Sequence, residues 1–303
     1  MDARAQFGTV IVAMVTPFKA NGELDLEAAQ RVATHLVDTG CDGVLVSGTT
    51  GESPTTHSDE KVALIRAVKS AVGDRAKVMA GAGSNHTDHA VRMAAQAQDA
   101  GADSLLVVSP YYNRPSQDGV AAHIEAVASA ADLPVMVYDI PGRTGVAVGP
   151  EASARLAKHA NIVAFKDATG NAVAGCRRGR ELGMAVYSGD DGLNLSFLAH
   201  GGVGMVSVVG HVAADRYRRM VDAMRPDDDG NVNLGEALAI HNEVAPLNDA
   251  IMGGGQGAVL AKTAMAELGV IDEAHFRLPI VGATEPQVEA LRAALRQLEY
   301  ARV

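Results

Sequence analysis

Basic charge is in short supply. The chain has 26 lysines and arginines against 36 aspartates and glutamates, a formal net charge of -10 and a sequence pI near 5.4. A nucleic-acid or anionic-membrane binder needs a basic face, so both classes are disfavoured. A small anionic substrate is still allowed, because a few local arginines can override the global sign. Cysteine is scarcer still. Cys41 and Cys176 have no metal-type spacing and carry no disulfide framework, which suits a reducing cytosol. No apolar run is long enough to span a bilayer, and residues 1–8 lack the basic-then-apolar layout of a signal peptide. The ten histidines form no ligand spacing such as HExxH, so no metal is expected. Gly81-Ala82-Gly83 is not followed by a third glycine at the place a dinucleotide fingerprint requires. The chain reads as cytoplasmic and soluble.

What is present is a rhythm. With 48% hydrophobic and 20% charged residues, 303 residues are enough for a substantial core. Continuous apolar runs predict strands over 9–14, 44–46, 77–80, 104–108, 134–138, a lysine-bearing stretch from Ile162, 185–187 and 204–209. Helical patterns separate them. The first is capped by Asp25 and stopped by Gly40, the second begins near Ser58, and others cover about 117–130, 150–158, 171–182 and 213–224. The strands do not alternate in polarity, so they should be parallel and buried on both faces. Eight such units fit the α/β class as a (β/α)8 TIM barrel over 1–224. After an acidic turn at 225–230 the pattern is helical over about 234–251 and 258–268. A last helix has a Thr284/Gln287 capping box and a stripe of Val288, Leu291, Leu295 and Leu298. Residues 225–303 therefore read as a small C-terminal helical domain.

In such a barrel the active site lies at the C-terminal ends of the strands. Polar strand-end residues gather there: Thr49 and Thr50, Tyr111 and Tyr112, Tyr138, Arg143, Lys166 and the Gly189 turn. Lys166 ends a buried strand, where desolvation lowers an ammonium's pKa and frees a nucleophile suited to a carbonyl. Taken alone, it can equally snorkel to solvent. Tyr138, on the neighbouring strand, can carry protons, or can be a hydrogen-bonded core tyrosine. Gly48-Thr49-Thr50-Gly51-Glu52 can aim hydroxyls and N–H groups at a carboxylate, or can be a structural turn. Arg143, on a loop expected to be flexible, can present a guanidinium to a carboxylate or simply face water. Asp190-Asp191 reads as helix N-capping rather than as a metal site.

Gly48-Thr49-Thr50-Gly51-Glu52, Pro110-Tyr111-Tyr112-Asn113-Arg114-Pro115, Tyr138-Asp139-Ile140-Pro141-Gly142-Arg143-Thr144-Gly145, Phe165-Lys166-Asp167-Ala168-Thr169-Gly170 and Ser188-Gly189-Asp190-Asp191 occur in this order. In sequence and spacing the chain resembles the dihydrodipicolinate synthase / N-acetylneuraminate lyase family over nearly its whole length. The resemblance implies that Lys166 forms an imine with pyruvate. Tyr138, Thr49 and Tyr112 match a proton relay, the last reaching into a neighbouring subunit's site. Thr50 matches a carboxylate-holding threonine, Gly189 and Val206 match backbone contacts near the imine, and Arg143 matches the arginine that takes the second substrate's carboxylate.

Arg143 favours the synthase branch. That implies condensation of pyruvate with L-aspartate 4-semialdehyde to 4-hydroxy-tetrahydrodipicolinate, a lyase step of lysine and diaminopimelate biosynthesis. No cofactor is implied, and the expected assembly is a homotetramer, a dimer of dimers. The alternatives are a pyruvate-dependent aldolase acting on a 2-keto-3-deoxy sugar acid and a non-catalytic keto-acid-binding barrel. One departure stands out. Lysine-inhibited members tend to carry a glutamate one turn after an asparagine at the subunit cleft. Here Asn85 is matched, but His89 occupies the glutamate position, so feedback inhibition is expected to be weak.

Overall fold

Strand-length runs rich in valine close into a ring. In the computed structural model, which describes residues 2–299, the strands are β1 (Val10–Ala13), β2 (Gly43–Val46), β3 (Lys77–Gly81), β4 (Ser104–Val108), β5 (Val135–Asp139), β6 (Ile162–Asp167), β7 (Ala185–Ser188) and β8 (Gly204–Ser207). Each pairs in parallel with the next, and β8 returns to β1 through Val10↔Met205 and Ile11↔Val206. Side chains alternate across a strand. Ile11, Leu45, Met79, Leu106, Met136, Tyr138, Ala164, Tyr187 and Val206 form an inner cluster, while Val10, Val12, Val44, Val46, Val107, Val137 and Phe165 face the helices. Both faces are dry, which is why the strands read as unbroken apolar runs.

The helices are α1 (Ala3–Phe7), α2 (Leu26–Asp38), α3 (Ser58–Val72), α4 (Thr87–Asp99), α5 (Gln117–Ala128), α6 (Pro141–Thr144), α7 (Pro150–Leu156), α8 (Ala172–Leu182), α9 (Asn194–Ala199), α10 (Gly210–Ala223), α11 (Leu234–Met252), α12 (Gly257–Glu267) and α13 (Glu285–Gln297). Asp25 caps α2 by accepting from the Ala28 N–H at 2.9 Å. Asn171, expected to open a helix, is the N-cap of α8. The Thr284/Gln287 capping box opens α13, which buries Leu291 and Leu295. Among the described residues no helix is long and apolar enough to cross a membrane.

The structure departs from expectation at two places. Residues 1–8 read as mixed and polar, yet α1 puts Phe7 into the inner cluster. Its ring meets Tyr187 edge-on at 6.1 Å, and the Tyr187 hydroxyl donates to Ala3 O and Gly8 O. Five residues are too few for periodicity to register. The eighth strand, expected to run to Val209, stops at Ser207, because the Val208 and Val209 N–H groups donate to the Asp191 carboxylate instead of to a ladder. The following helix accordingly starts at Gly210 rather than Ala213, and Ala213 itself is non-helical.

Candidate active site

The pairing of β5 with β6 sets Tyr138 beside Lys166 and Asp139 beside Asp167. Alternation then sends the first pair into the barrel and the second pair out towards the helices. Lys166 is only 5% exposed, and its Nζ lies 4.1 Å from the centroid of the Tyr138 ring. Burial pulls the Lys166 pKa down to about 8, against the opposing pull of Asp191 and with help from Arg143. The same dry surroundings push the Tyr138 phenol up to about 12. One group is thus partly neutral near physiological pH, and the other keeps its proton for transfer. Gly189, at the end of β7, leaves the room that the lysine needs: a Cβ there would lie 3.1 Å from Lys166 Cε. Val206 lies on β8 in the same inner cluster, 1% exposed.

Behind this pair is a clamp that sequence reasoning missed. Arg178, on α8, donates from one guanidinium nitrogen to Asp139 Oδ2 at 2.8 Å and from the other to Asp167 Oδ2 at 2.8 Å. Its face lies 4.3 Å from the Phe165 ring. Both carboxylates are about 1% exposed. Each is also anchored at its other oxygen, Asp139 by the Val148 N–H and Asp167 by the Thr169 N–H and hydroxyl. Gly175 makes room for this: a Cβ there would come within 2.5 Å of Asp167 Oδ2. One guanidinium therefore ties together the residues that directly follow Tyr138 and Lys166. The sequence signal was two buried acids at matching strand ends, which require a cation.

The acidic pair after Gly189 divides its work. Asp190 caps a short turn through the Gly192 N–H, as expected. Asp191 does not cap a helix. It is 5% exposed and accepts from the Ser207 hydroxyl, the Val208 and Val209 N–H groups and Asn194 Nδ2. It fastens the β8 turn and lends negative charge to the surroundings of Lys166. Among the described residues no group of three or more His, Cys, Asp or Glu side chains is placed to hold a metal ion.

Thr49, Tyr138 and Arg143 line one cavity of about 290 Å³. Thr49 is exposed at its wall, whereas Thr50 is buried and does not line it. Lys166, Gly189 and Val206 are also absent from the wall, and the amine lies against the Tyr138 ring instead. Arg143 is exposed, but the expected flexible loop is the single helical turn α6, opened by Pro141. Tyr112 does not line this cavity; it is 87% exposed and left-handed at φ 70°, and Tyr111 lines the wall.

The far end of the cavity carries Ser53, Thr56, Lys61, Ser84 and His89 and no carboxylate, and Asn85 is not part of it. Lys61 Nζ donates to Ser53 O, Thr56 O and Thr56 Oγ1. The pKa of His89 is lowered by burial and by the nearby Arg92, Lys61 and His86.

Comparison with known proteins gives a consistent picture. A family model described as the dihydrodipicolinate synthetase family matches residues 6–298. The 4-hydroxy-tetrahydrodipicolinate synthase of Mycolicibacterium paratuberculosis is 50% identical over 295 residues, 97% of this chain and 96% of that protein. The enzyme of the same name from Bifidobacterium animalis subsp. lactis is 48% identical over 292 residues, covering 96% and 94%. The solved structure of the Cyanidioschyzon merolae protein, with lysine bound, has a TM-score of 0.91 at 42% identity and covers 97% of this chain and 99% of that one.

Proposed function

The chain belongs to the dihydrodipicolinate synthetase family, and we propose on that premise that it condenses pyruvate with L-aspartate 4-semialdehyde through an imine on Lys166. The observation that carries this reading is the buried Lys166 amine, with a pKa near 8, held 4.1 Å from the Tyr138 ring on the adjacent strand. The amine attacks the pyruvate keto carbon, and water leaves as the protonated imine forms. Thr50 holds the pyruvate carboxylate. The imine is the electron sink, so a methyl proton departs and an enamine forms. Tyr138 and Thr49, with Tyr112 of a neighbouring copy, carry the protons.

The enamine carbon attacks the aldehyde while Arg143 holds the second carboxylate. The substrate's amino group then adds to the imine carbon and displaces Lys166, closing the ring of 4-hydroxy-tetrahydrodipicolinate. Gly189 and Val206 shape the pocket around the imine. We assign residues 1–224 to the catalytic barrel and 225–303 to the helical domain, whose described helices α11 and α12 pack on α10 of the barrel.

Because Tyr112 does not line its own cavity, this reading requires a neighbouring copy. We take the assembly to be a homotetramer of paired dimers. One solved relative, 36% identical, is described as a monomeric variant, so the assembly is a property to measure for each chain. The free, buried thiols of Cys41 and Cys176 support a reducing compartment, the cytoplasm.

The cleft beside Tyr111 offers no carboxylate to a ligand ammonium, and the cations around His89 lower its pKa rather than raise it. L-lysine titrated into a rate assay is therefore expected to leave activity near its starting value through the micromolar range. Half-inhibition below millimolar lysine would contradict this. The function itself is tested by a coupled assay with pyruvate and aspartate semialdehyde on wild type and Lys166→Ala. Turnover by wild type alone supports the proposal. Turnover of a 2-keto-3-deoxy sugar acid in preference to the semialdehyde would assign the aldolase reaction instead.

A further inference from the structure

The turn that carries Thr49 and Thr50 is bracketed by two non-glycine residues in the left-handed region, Ser47 at φ 56° and Glu52 at φ 53°. Such a backbone is unfavourable for a residue with a Cβ. Conformations of this kind persist only where the surroundings over-determine them. Around Glu52 the surroundings come from the far end of the chain. Its side chain is fully buried and accepts a hydrogen bond from Lys262 Nζ on α12, 210 residues away. Lys262 is 1% exposed, donates also to His275 O at 2.8 Å, and lies 4.5 and 4.6 Å from the Phe18 and Phe276 ring centroids. The second Glu52 oxygen accepts from the Arg277 N–H at 3.2 Å. Arg277 in turn binds Glu60 with two nitrogens and donates to Thr55 O, just past the same turn.

A buried ion pair of this kind is weak evidence for stability, because apolar residues of equal volume often do as well. What an apolar pair cannot do is hold a left-handed glutamate at one register. The backbone hydrogen bonds Glu52 N to Thr49 O, 3.1 Å, and Ser53 N to Gly48 O, 3.2 Å, pass that register to the turn at Gly48 and Thr49, next to Thr50. Every residue that lines the cavity precedes position 145, so the C-terminal helices contribute no group to it.

We propose that Lys262 is a positioning residue for pyruvate binding, acting through Glu52 to hold the Thr49–Thr50 turn in its carboxylate-binding conformation. The C-terminal helices then complete the site without touching substrate. This rests on the reading that Thr50 holds the pyruvate carboxylate.

The test compares Lys262→Met, Glu52→Gln and Thr50→Val in the full-length protein, measuring kcat, KM for each substrate and the melting temperature. Lys262→Met is expected to raise KM for pyruvate about tenfold, the size of one lost charge-assisted hydrogen bond. KM for the semialdehyde should stay within about twofold of wild type, inside the usual scatter of such comparisons. A merely structural role would lower the melting temperature and the active fraction but leave KM of the folded enzyme unchanged. Glu52→Gln keeps the shape and is expected to move KM for pyruvate in the same direction. It decides the matter if Lys262→Met does not fold. Thr50→Val separates the two claims. If it raises KM for pyruvate while neither other variant does, the positioning role is overturned and the reading of Thr50 stands. If it leaves KM unchanged, the reading of Thr50 fails and the inference falls with it.

Discussion

An ordinary lysine amine, with a pKa near 10.5, is neutral at pH 7 about three times in ten thousand, and one with a pKa near 8 about one time in ten. That difference of roughly 300-fold in reactive amine is what burial does for Lys166. The sign follows directly. The protonated form is unreactive, so kcat/KM for pyruvate is expected to rise with pH through about 8 and then level off. Tyr138, pushed to about 12, stays protonated across that range. A pH profile on wild type checks this, and a profile flat from pH 6 to 9 would contradict it. At this scale the placement of the lysine beside the tyrosine was legible in advance. Lys166 and Tyr138 stand at strand ends, where position alone says they face the same rim. Thr50 and Arg143 were legible only as members of motifs, because a threonine in a turn or an arginine near a glycine has several equally cheap explanations.

Between elements, the chemistry depends on contacts that no local pattern reveals. Arg178 joins Asp139 to Asp167 and so fixes the strand ends that carry Tyr138 and Lys166. Its helix, α8, has few apolar residues, and nothing in its spacing marks one arginine among several as buried work. Replacing it with methionine leaves two carboxylates without their cation in a dry layer. Arg178→Met is expected to lose about 3–5 kcal/mol of stability, the usual result of breaking a buried ion pair. In the fraction that folds, kcat should fall on the order of 10²-fold, as expected when reacting groups shift by about 1 Å. Denaturant melts and rate assays on this variant check both parts, and a stable, fully active Arg178→Met would contradict them. The boundary of β8 escaped the sequence for a similar reason. Val208 and Val209 look like strand, but a carboxylate from the preceding turn claims their N–H groups.

At the scale of the molecule, the barrel was legible because its eight buried strands and their helices repeat one signal many times, and errors at single boundaries do not alter the count. The floor formed by α1 was not legible, since five residues carry no period. Nor was the link from α12 to the active-site turn, which spans 210 residues. Tyr112 is exposed and does not line the cavity of its own chain. If it serves a neighbour, two inactive variants should complement each other. Co-expressed Lys166→Ala and Tyr112→Phe chains are expected to regain activity that neither has alone, since a mixed assembly contains sites with both groups intact. A mixture no more active than its parts would mean that Tyr112 does not act in a neighbour's site.

The central claim is a covalent bond between one named amine and a keto acid. Borohydride reduction of the wild-type enzyme in the presence of pyruvate, followed by peptide mass spectrometry, tests it most directly. The expected result is a single reduced pyruvate adduct on the peptide carrying Lys166, absent when pyruvate is omitted. An unmodified Lys166, or an adduct on any other lysine, would contradict it.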